Sequence, residues 1–477
     1  MASQKKKFNG LVIFSVLVVA LAAYVFFFEY KTGENSEEQK QKDAKVFAGL
    51  EVSKIQGLIV SPNSMNPAMN IKVAKLDGVW RVTAPVNDVA DKDAVETYIS
   101  TLLDEKTQDS LGKEAADPKT YGLDQPKGSV ALTADSGEDV EVKIGTVKAY
   151  DGTFYANITN KLGTYILSPV WSAYIAKHPN DFRSKRVKRG VFESWDRIVT
   201  KVSGKLRLEL NKVDDEWQSV PKSEIPLQTN LVEGFIFQLV NLEILDFVSE
   251  MKTDLGKYGL SSPQIENHLS GVKDSKPYDF KLLLSPKSPN GEKQYSAATS
   301  SDLSGVVRVY SSILNVAERS REDFYDRRYP FQFDPTQAAK VRIATTDLKL
   351  FAQKKDGKWS KVEGSSEQPL SNLKLDELVK AISRIEASGY LKEKGKGLTP
   401  SKNKIEVQNE KGELLISVVW GDEYLPKIDD PANTGLKFYY ATTSKVPNYV
   451  LSLKQVQIEE LNLKSLFVAA AKKEKTP

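Results

Sequence analysis

Cysteine is absent from this chain of 477 residues, and histidine occurs only twice. Without cysteine there is no disulfide, no thiolate ligand for a metal and no thiol nucleophile. His178 and His268 are 90 positions apart, and neither belongs to a His-Glu-x-x-His or His-x-His pattern. A protein metal site needs several such ligands at short spacings. We therefore predict that the chain holds no metal ion and no cofactor.

Motifs for phosphate binding and serine hydrolysis are missing as well. The sequence has no Gly-x-Gly-x-x-Gly or Walker A loop, and no Gly-x-Ser-x-Gly elbow. Ser-x-x-Lys pairs recur, as chance alone predicts in a chain rich in serine and lysine. The net charge of +4 is small, and no Lys/Arg block alternates with aromatic residues as in a nucleic-acid groove. We predict a protein that is not an enzyme and does not bind nucleic acid.

One long apolar run is present near the start, at residues 11–28 (LVIFSVLVVALAAYVFFF). As a helix it rises about 27 Å, close to the roughly 30 Å hydrocarbon layer of a membrane. Ala-Leu-Ala at 20–22 offers a signal-peptidase site, but the run continues past it, which favours an uncleaved transmembrane signal anchor. Lys5–Lys7 favour a cytoplasmic tail at 1–10. We expect a single-pass protein of the bacterial inner membrane, with a polar stalk at 29–45 and its bulk outside the cytoplasm.

Three tryptophans follow charged turns at similar spacings. Trp80, Trp217 and Trp359 are separated by 137 and 142 residues, and each comes shortly after Asp-Gly or Asp-Asp. Such a turn between alternating apolar residues indicates a β-hairpin. Exposed tryptophans stack on sugars in some proteins, but their repeated place beside strand residues favours three buried core positions.

A helical pattern of apolar residues follows each tryptophan, the first within residues 91–105. The residues that we expect to cap these helices at their N-termini are Asp88, Thr229 and Asn372. A glycine phrase comes next: TYGLDQP at 120–126, KYGLSSP at 257–263 and the shorter KGLTP at 396–400. Each glycine suits a helix end with positive φ. The residues interpreted as structural markers of the fold are Tyr121, Gly122, Pro126, Tyr258, Gly259, Pro263 and Gly397.

Strand-like alternation surrounds these signals, so the sequence predicts an α+β fold. We expect an N-terminal transmembrane helix followed by three tandem modules, each an antiparallel sheet with a packed helix. The predicted modules are residues 46–189, 190–330 and 331–467, with a polar tail at 468–477.

The order of tryptophan turn, helix, Tyr-Gly-Leu-x-x-Pro phrase, strands and Arg-x-Lys-Arg behind one apolar segment resembles a bacterial family, domain of unknown function 4340. The resemblance covers nearly all of residues 46–467. The sequence departs from the family pattern in the third module, where Lys396 stands at the tyrosine position of the glycine phrase. The resemblance implies a membrane-anchored protein, often encoded beside ABC transporter components and gliding-type systems. Subunits of such a transporter are therefore the expected partners.

The strongest charge feature is the basic cluster RSKRVKR at 183–189. Its cations are Arg183, Lys185, Arg186, Lys188 and Arg189. As an interaction patch it would contact anionic lipid, an acidic polymer or an acidic partner. The alternative is structural, because the cluster lies at the boundary between two predicted modules. Guanidinium groups at such a joint pair with carboxylates of the adjoining module.

Three functional hypotheses remain open. The first is a membrane-tethered accessory or scaffold protein that binds other proteins of a transport or gliding-related complex. The second is a binder of cell-wall or surface polysaccharide, which an exposed line of aromatic rings would support. The candidates for that line are Tyr150, Phe154, Tyr155, Phe438, Tyr439 and Tyr440. The third is a hydrolase, which would need a deep pocket that joins carboxylates from different modules.

Overall fold

The computed structural model describes residues 14, 18–24, 44–112, 117–190, 194–273, 275–366, 368–391, 403–424 and 435–467. These residues form mostly antiparallel sheets with short helices, which confirms the α+β class. Chain contacts define two compact units. Unit 1 is Met1–Gly190 with Glu243–Glu250, and unit 2 is Val191–Leu242 with Met251–Pro477.

None of the helices in the described ranges is both long and apolar enough to cross a membrane. Of the predicted span at 11–28, only residue 14 and residues 18–24 are described, and they are helical. The stalk up to residue 43, the phrase at 396–400 with Lys396 and Gly397, and the tail at 468–477 lie outside the described residues.

The first sheet lies in unit 1. Its strands are β1 (Ile55–Ser61), β2 (Ile71–Leu76), β3 (Val79–Ala84), β4 (Asp88–Val89), β5 (Asp109–Ser110), β6 (Gly128–Ala134), β7 (Asp139–Lys148), β8 (Phe154–Ile158) and β9 (Tyr165–Leu167). They are ordered β4-β3-β2-β1-β6-β7-β8-β9-β5. The short strand β5 therefore lies at the edge of the sheet opposite β4. The chain then returns to the middle of the sheet, where β6 pairs with β1.

The second sheet begins at residue 194. Its strands in unit 2 are β10 (Ser194–Val202), β11 (Lys205–Val213), β12 (Glu216–Ser219), β14 (Ile265–Lys273), β15 (Lys276–Ser285), β16 (Tyr295–Ser300) and β17 (Val306–Tyr310), and β13 (Asp246–Ser249) belongs to unit 1. Within unit 2 the order is β12-β11-β10-β14-β15-β16-β17. The hairpin strands β11 and β12 thus lie on one side of the central strands β10 and β14. In the first sheet, β2 and β3 lie in the same way beside β1 and β6.

The third sheet also lies in unit 2. Its strands are β18 (Lys340–Ala344), β19 (Lys349–Lys355), β20 (Lys358–Gly364), β21 (Gly389–Leu391), β22 (Asn403–Gln408), β23 (Leu414–Tyr424), β24 (Phe438–Thr443) and β25 (Val450–Lys454). Their order, β20-β19-β18-β22-β23-β24-β25-β21, repeats the connectivity of the first sheet without its edge strand β4.

The hairpins before the tryptophans have the two-residue turns that the sequence predicts. Asp77 and Gly78 both have positive φ, of 49° and 79°, as do Asp356 and Gly357. Positive φ at both central positions gives a turn whose twist matches that of the strands. Each tryptophan is consequently paired across its hairpin with a lysine, and Trp359 lies opposite Lys354.

The helices are α1 (Lys92–Asp104), α2 (Trp171–Ile175), α3 (Thr229–Val240), α4 (Ile313–Ala317), α5 (Asn372–Ser383) and α6 (Gln455–Glu459). The three predicted N-caps were wrong. Asp91 caps α1, since its side chain accepts from the backbone N–H of Ala94 at 3.1 Å. Gln228 and Ser371 precede α3 and α5, one residue before the predicted caps. Asp88 lies in β4 instead.

The long helices bury their apolar face in the cores. Val95, Ile99 and Leu102 of α1 are fully buried in the core of the first sheet. The core of the third sheet takes in α5 and also residues from the second predicted module, such as Ile225 and Tyr325. Unit 2 therefore has a continuous apolar core where the segments of the second and third sheets meet.

Candidate functional site

The predicted basic patch is organised around one buried arginine in unit 1. Arg183, whose side chain is 3 % exposed, donates from Nε to Asp88 Oδ2 at 2.9 Å. Its two terminal nitrogens donate to the two oxygens of Glu250 at 2.7 and 3.0 Å. The guanidinium carbon also lies 3.4 Å from the ring centre of Phe247. Arg189 donates to the same oxygen of Asp88 at 2.9 Å, so one carboxylate serves two arginines.

The other cations of the cluster differ in exposure. Lys188 is buried, and its ammonium donates to the carbonyl of Gly190 at 2.9 Å. Arg189 is buried and also donates to the carbonyl of Ser184. Lys185 and Arg186 are exposed. Three of the five candidate residues are therefore occupied by acceptors of this chain, and the cluster is not one exposed basic face.

The three repeated tryptophans are all buried, with 3 to 5 % exposure. The indole N–H of Trp80 donates to Glu96 at 3.2 Å. The indole N–H of Trp359 donates to Asp376 at 2.8 Å. Both carboxylates lie on the helix that follows, so each bond joins a hairpin to a helix.

The two described glycine phrases end short 3₁₀ helices. Gly122 has φ of +63° after Pro118–Tyr121, and Gly259 has φ of +71° after Leu255–Tyr258. Tyr258 is buried, whereas Tyr121 is half-buried with its ring centre 4.6 Å from that of Tyr155. Pro126 and Pro263 are half-buried beside the following strands. The glycines thus turn the backbone at the helix ends, and the tyrosines and prolines pack beside them.

The aromatic residues proposed for sugar stacking do not share one exposure. Tyr150 is fully exposed, but Phe154 and Phe438 are buried at 1 % and 3 %. The remaining three, Tyr155, Tyr439 and Tyr440, are half-buried. Since Phe154 and Phe438 are core residues and only Tyr150 is fully exposed, these six residues do not form one exposed stacking line.

No group of three or more potential ligands that could hold a metal occurs within the ranges that the structure describes. His178 accepts a bond from the backbone N–H of Asn180 and caps a 3₁₀ helix. His268 lies in β14 with its Nε2 3.4 Å from Asp279. Both histidines are thus accounted for by local contacts.

A cleft of about 460 Å³ opens in unit 2 where segments of the second and third sheets meet. We call it the junction cleft. Its lining comes from four separate segments: Ser223–Ile225, Arg321 with Glu322 and Tyr329, Leu391, and Lys445–Tyr449. Ligand sites occur preferentially at such junctions. Sequence reasoning missed this cleft because its first and last segments lie more than 220 positions apart in the chain and the segments share no motif.

The charges of the junction cleft are mixed. Arg321 donates to Glu322 at 3.2 Å. Burial opposes the charge of Glu322, but hydrogen bonds from the backbone, Ser320 and Arg321 hold its pKa below the usual value. Burial lowers the pKa of Lys445, and Asp326 partly offsets this. The cleft therefore offers a fixed anion and cations within one opening.

Three tyrosines pack against one another at the cleft, and one of them, Tyr449, lines it. The rings of Tyr325, Tyr390 and Tyr449 meet edge to face, with centres 5.1 to 5.7 Å apart. Burial, together with the hydrogen bond between the hydroxyls of Tyr325 and Tyr449, raises the pKa of Tyr325 to about 12. Tyr390 donates to the carbonyl of Asp326 at 2.8 Å. The raised pKa values of Tyr325 and Tyr390 keep these two phenols neutral at ordinary pH, and each of the three rings contacts the two others.

Comparison with known proteins identifies one family model, described as a domain of unknown function (DUF4340). It matches residues 80–263 and again residues 217–405. Each match begins at one of the repeated tryptophans, Trp80 or Trp217. The starts are thus offset by the repeat spacing of 137 residues, as a tandem repeat requires. No curated protein and no solved structure matches the chain.

Proposed function

Since this chain belongs to the DUF4340 family, whose description assigns no activity, we propose a function from its own features. The protein is a membrane-anchored accessory protein that binds other proteins of an ABC-type transport or gliding-related complex. Its three sheets are the cores of three tandem modules outside the cytoplasm. The apolar run at 11–28 is the anchor.

The observation that carries this proposal is the junction cleft. It combines the carboxylates of Glu224 and Glu322 with the cations of Arg321 and Lys445 in one opening. Leu391, Val446 and Pro447 line the same opening with apolar atoms. A polypeptide segment presents the same mixture of charges, amides and apolar side chains, as protein interfaces generally do.

The anchor explains why a cleft of this modest size is sufficient. A protein held in the same bilayer as its partners meets them at a high effective concentration. Binding that would be weak in solution then becomes persistent. The family's implied association with ABC transporter genes makes subunits of such a transporter the first partners to test.

The experiment is crosslinking in native membranes, followed by isolation of the full chain through a C-terminal tag. Two changes in the junction cleft leave the core untouched: Glu224→Lys reverses an exposed charge, and Asn448→Trp fills an exposed turn position. Glu410→Lys, in the exposed turn between β22 and β23, is the matched control.

We expect transporter subunits to crosslink to the unaltered chain and to the Glu410 variant, and the yield to fall at least fivefold in both cleft variants. If glycan fragments co-purify and transporter subunits do not, the proposal is wrong. Equal crosslinking in all four proteins would exclude the junction cleft as the docking site.

A further inference from the structure

The repeated tryptophan has a fixed counterpart in all three sheets. The fifth residue of the long helix that follows is acidic each time: Glu96 in α1, Glu233 in α3 and Asp376 in α5. In the first and third sheets the indole N–H donates directly to this carboxylate. The direct bond joins the hairpin to the helix.

The second sheet has the same two residue types without the bond. Trp217 is 4 % exposed, and in the described part of the chain its indole N–H has no hydrogen-bond partner. A buried donor that stays unpaired is a net cost to folding, because it has lost its bond to water and gained none in return. Glu233 is exposed on α3. Trp217 and Glu233 instead line a shared pocket of about 280 Å³, which we call the tryptophan pocket.

The remaining walls of the tryptophan pocket are largely aromatic. Trp195 and Ile236 are buried, and Phe237 is 65 % exposed on the helix surface. Lys212 lies at the same opening, with its ammonium 3.6 Å from Asp215. The pocket thus combines apolar ring faces with an unpaired donor, a carboxylate and an ammonium.

We propose that the tryptophan pocket binds one neutral pyranose ring of a sugar. A hydroxyl group accepts from the indole N–H of Trp217 and at the same time donates to the carboxylate of Glu233. The C–H face of the ring packs on Trp195 or Phe237. The volume of about 280 Å³ lies just below the usual range for ligand pockets, about 300–1,000 Å³, which suits a single ring.

Charged ligands fit these groups less well. A quaternary ammonium would pack on the aromatic rings, but it leaves the N–H of Trp217 without an acceptor and meets the charge of Lys212. An anion would accept from Trp217 but meets the carboxylate of Glu233. A neutral polyhydroxyl compound satisfies the donor and the acceptor together.

The test uses the full chain with ¹⁵N-labelled indole groups, in a detergent without sugar head groups. The probes are methyl glucoside, methyl galactoside and N-acetylglucosamine, with cellobiose and chitobiose as two-ring probes. We expect at least one probe to shift the indole N–H resonance of Trp217, which Trp217→Phe identifies, and to leave those of Trp80 and Trp359 unchanged. Saturation transfer from protein rings to sugar C–H protons provides a second readout that needs no assignment.

Two variants probe the site itself. Glu233→Gln and Phe237→Ala are each expected to weaken binding about tenfold, the effect of losing one hydrogen bond to a charged group or one apolar contact face. Gln238→Ala, at the neighbouring exposed position of α3, is the control and keeps full affinity. If a two-ring probe binds more tightly than the one-ring probes, the ligand is part of a polymer. If both kinds of probe bind equally, the ligand is a free sugar.

Three outcomes would overturn the proposal. The first is the absence of any shift and any saturation transfer with all five sugars. The second is binding that Glu233→Gln and Phe237→Ala leave unchanged. The third is a shift with tetramethylammonium but with none of the sugars, which would make the pocket a cation cage.

Discussion

The indole N–H of Trp359 donates to the carboxylate of Asp376 across the interval between β20 and α5, at 2.8 Å. The ammonium of Lys354, opposite Trp359 in the hairpin, donates to the same carboxylate oxygen at 2.9 Å. One helix residue therefore fixes both strands of the hairpin. The corresponding bond in the first sheet, from Trp80 to Glu96, is longer at 3.2 Å.

Trp359→Phe should destabilise the protein more than Trp217→Phe. Both substitutions remove similar ring volume from a buried site, but only Trp359 loses a hydrogen bond to a carboxylate within the described chain. We expect the free energy of unfolding to differ between the two variants by about 1 kcal/mol. Urea denaturation measures it, and an equal loss in both variants would contradict the assignment of the bond.

Asp376 should make stability depend on acid pH. Burial opposes its charge, but bonds from Trp359 and Lys354 hold its pKa below the usual value. A carboxyl with a lowered folded pKa adds stability above its unfolded pKa, near 3.9, and this is lost as the pH falls through the folded pKa. Asp376→Asn should therefore be less stable than the unaltered chain at about pH 7, with the gap closing toward about pH 3. A gap that stays constant across this range counts against the mechanism.

Asp88→Asn should strongly destabilise unit 1. The change removes the charge that both Arg183 and Arg189 contact at 2.9 Å, and both arginines are buried. Breaking a buried ion pair from one side costs about 3–5 kcal/mol, because a charge is left uncompensated. The control is Asp139→Asn at an exposed strand position, which should change stability by less than about 0.5 kcal/mol. Thermal unfolding measures the loss of stability in both variants, and a similar small loss in both would contradict this prediction.

Gly122→Ala should cost more stability than Gly137→Ala. Both glycines have positive φ, so each substitution carries backbone strain of about 1–2 kcal/mol. At Gly122 the new Cβ would also lie 2.9 Å from the backbone nitrogen of Thr146, whereas at Gly137 it meets no atom within 4 Å. The difference in unfolding free energy between the two variants isolates the close approach. Equal losses would mean that only φ matters.

The local features of the fold were readable from the sequence. The Asp-Gly turns, the apolar face of α1 and the positive φ of Gly122 depend on residues within a few positions of one another. The same short range explains the errors in the helix caps, since an aspartate at 88 and one at 91 both suit a helix start. Only the hydrogen bond to Ala94 distinguishes them.

By itself, the sequence determined the repeat, the family and the α+β class, because turn chemistry and apolar periodicity act locally and recur at a measurable spacing. Only the tertiary structure decided the partners of the charged groups. It brought Asp88 to Arg183 and Glu250, gathered the junction cleft from four segments, and left the N–H of Trp217 without the bond that Trp80 and Trp359 make. These outcomes depend on distances between segments far apart in the chain, which packing sets and which no local pattern encodes.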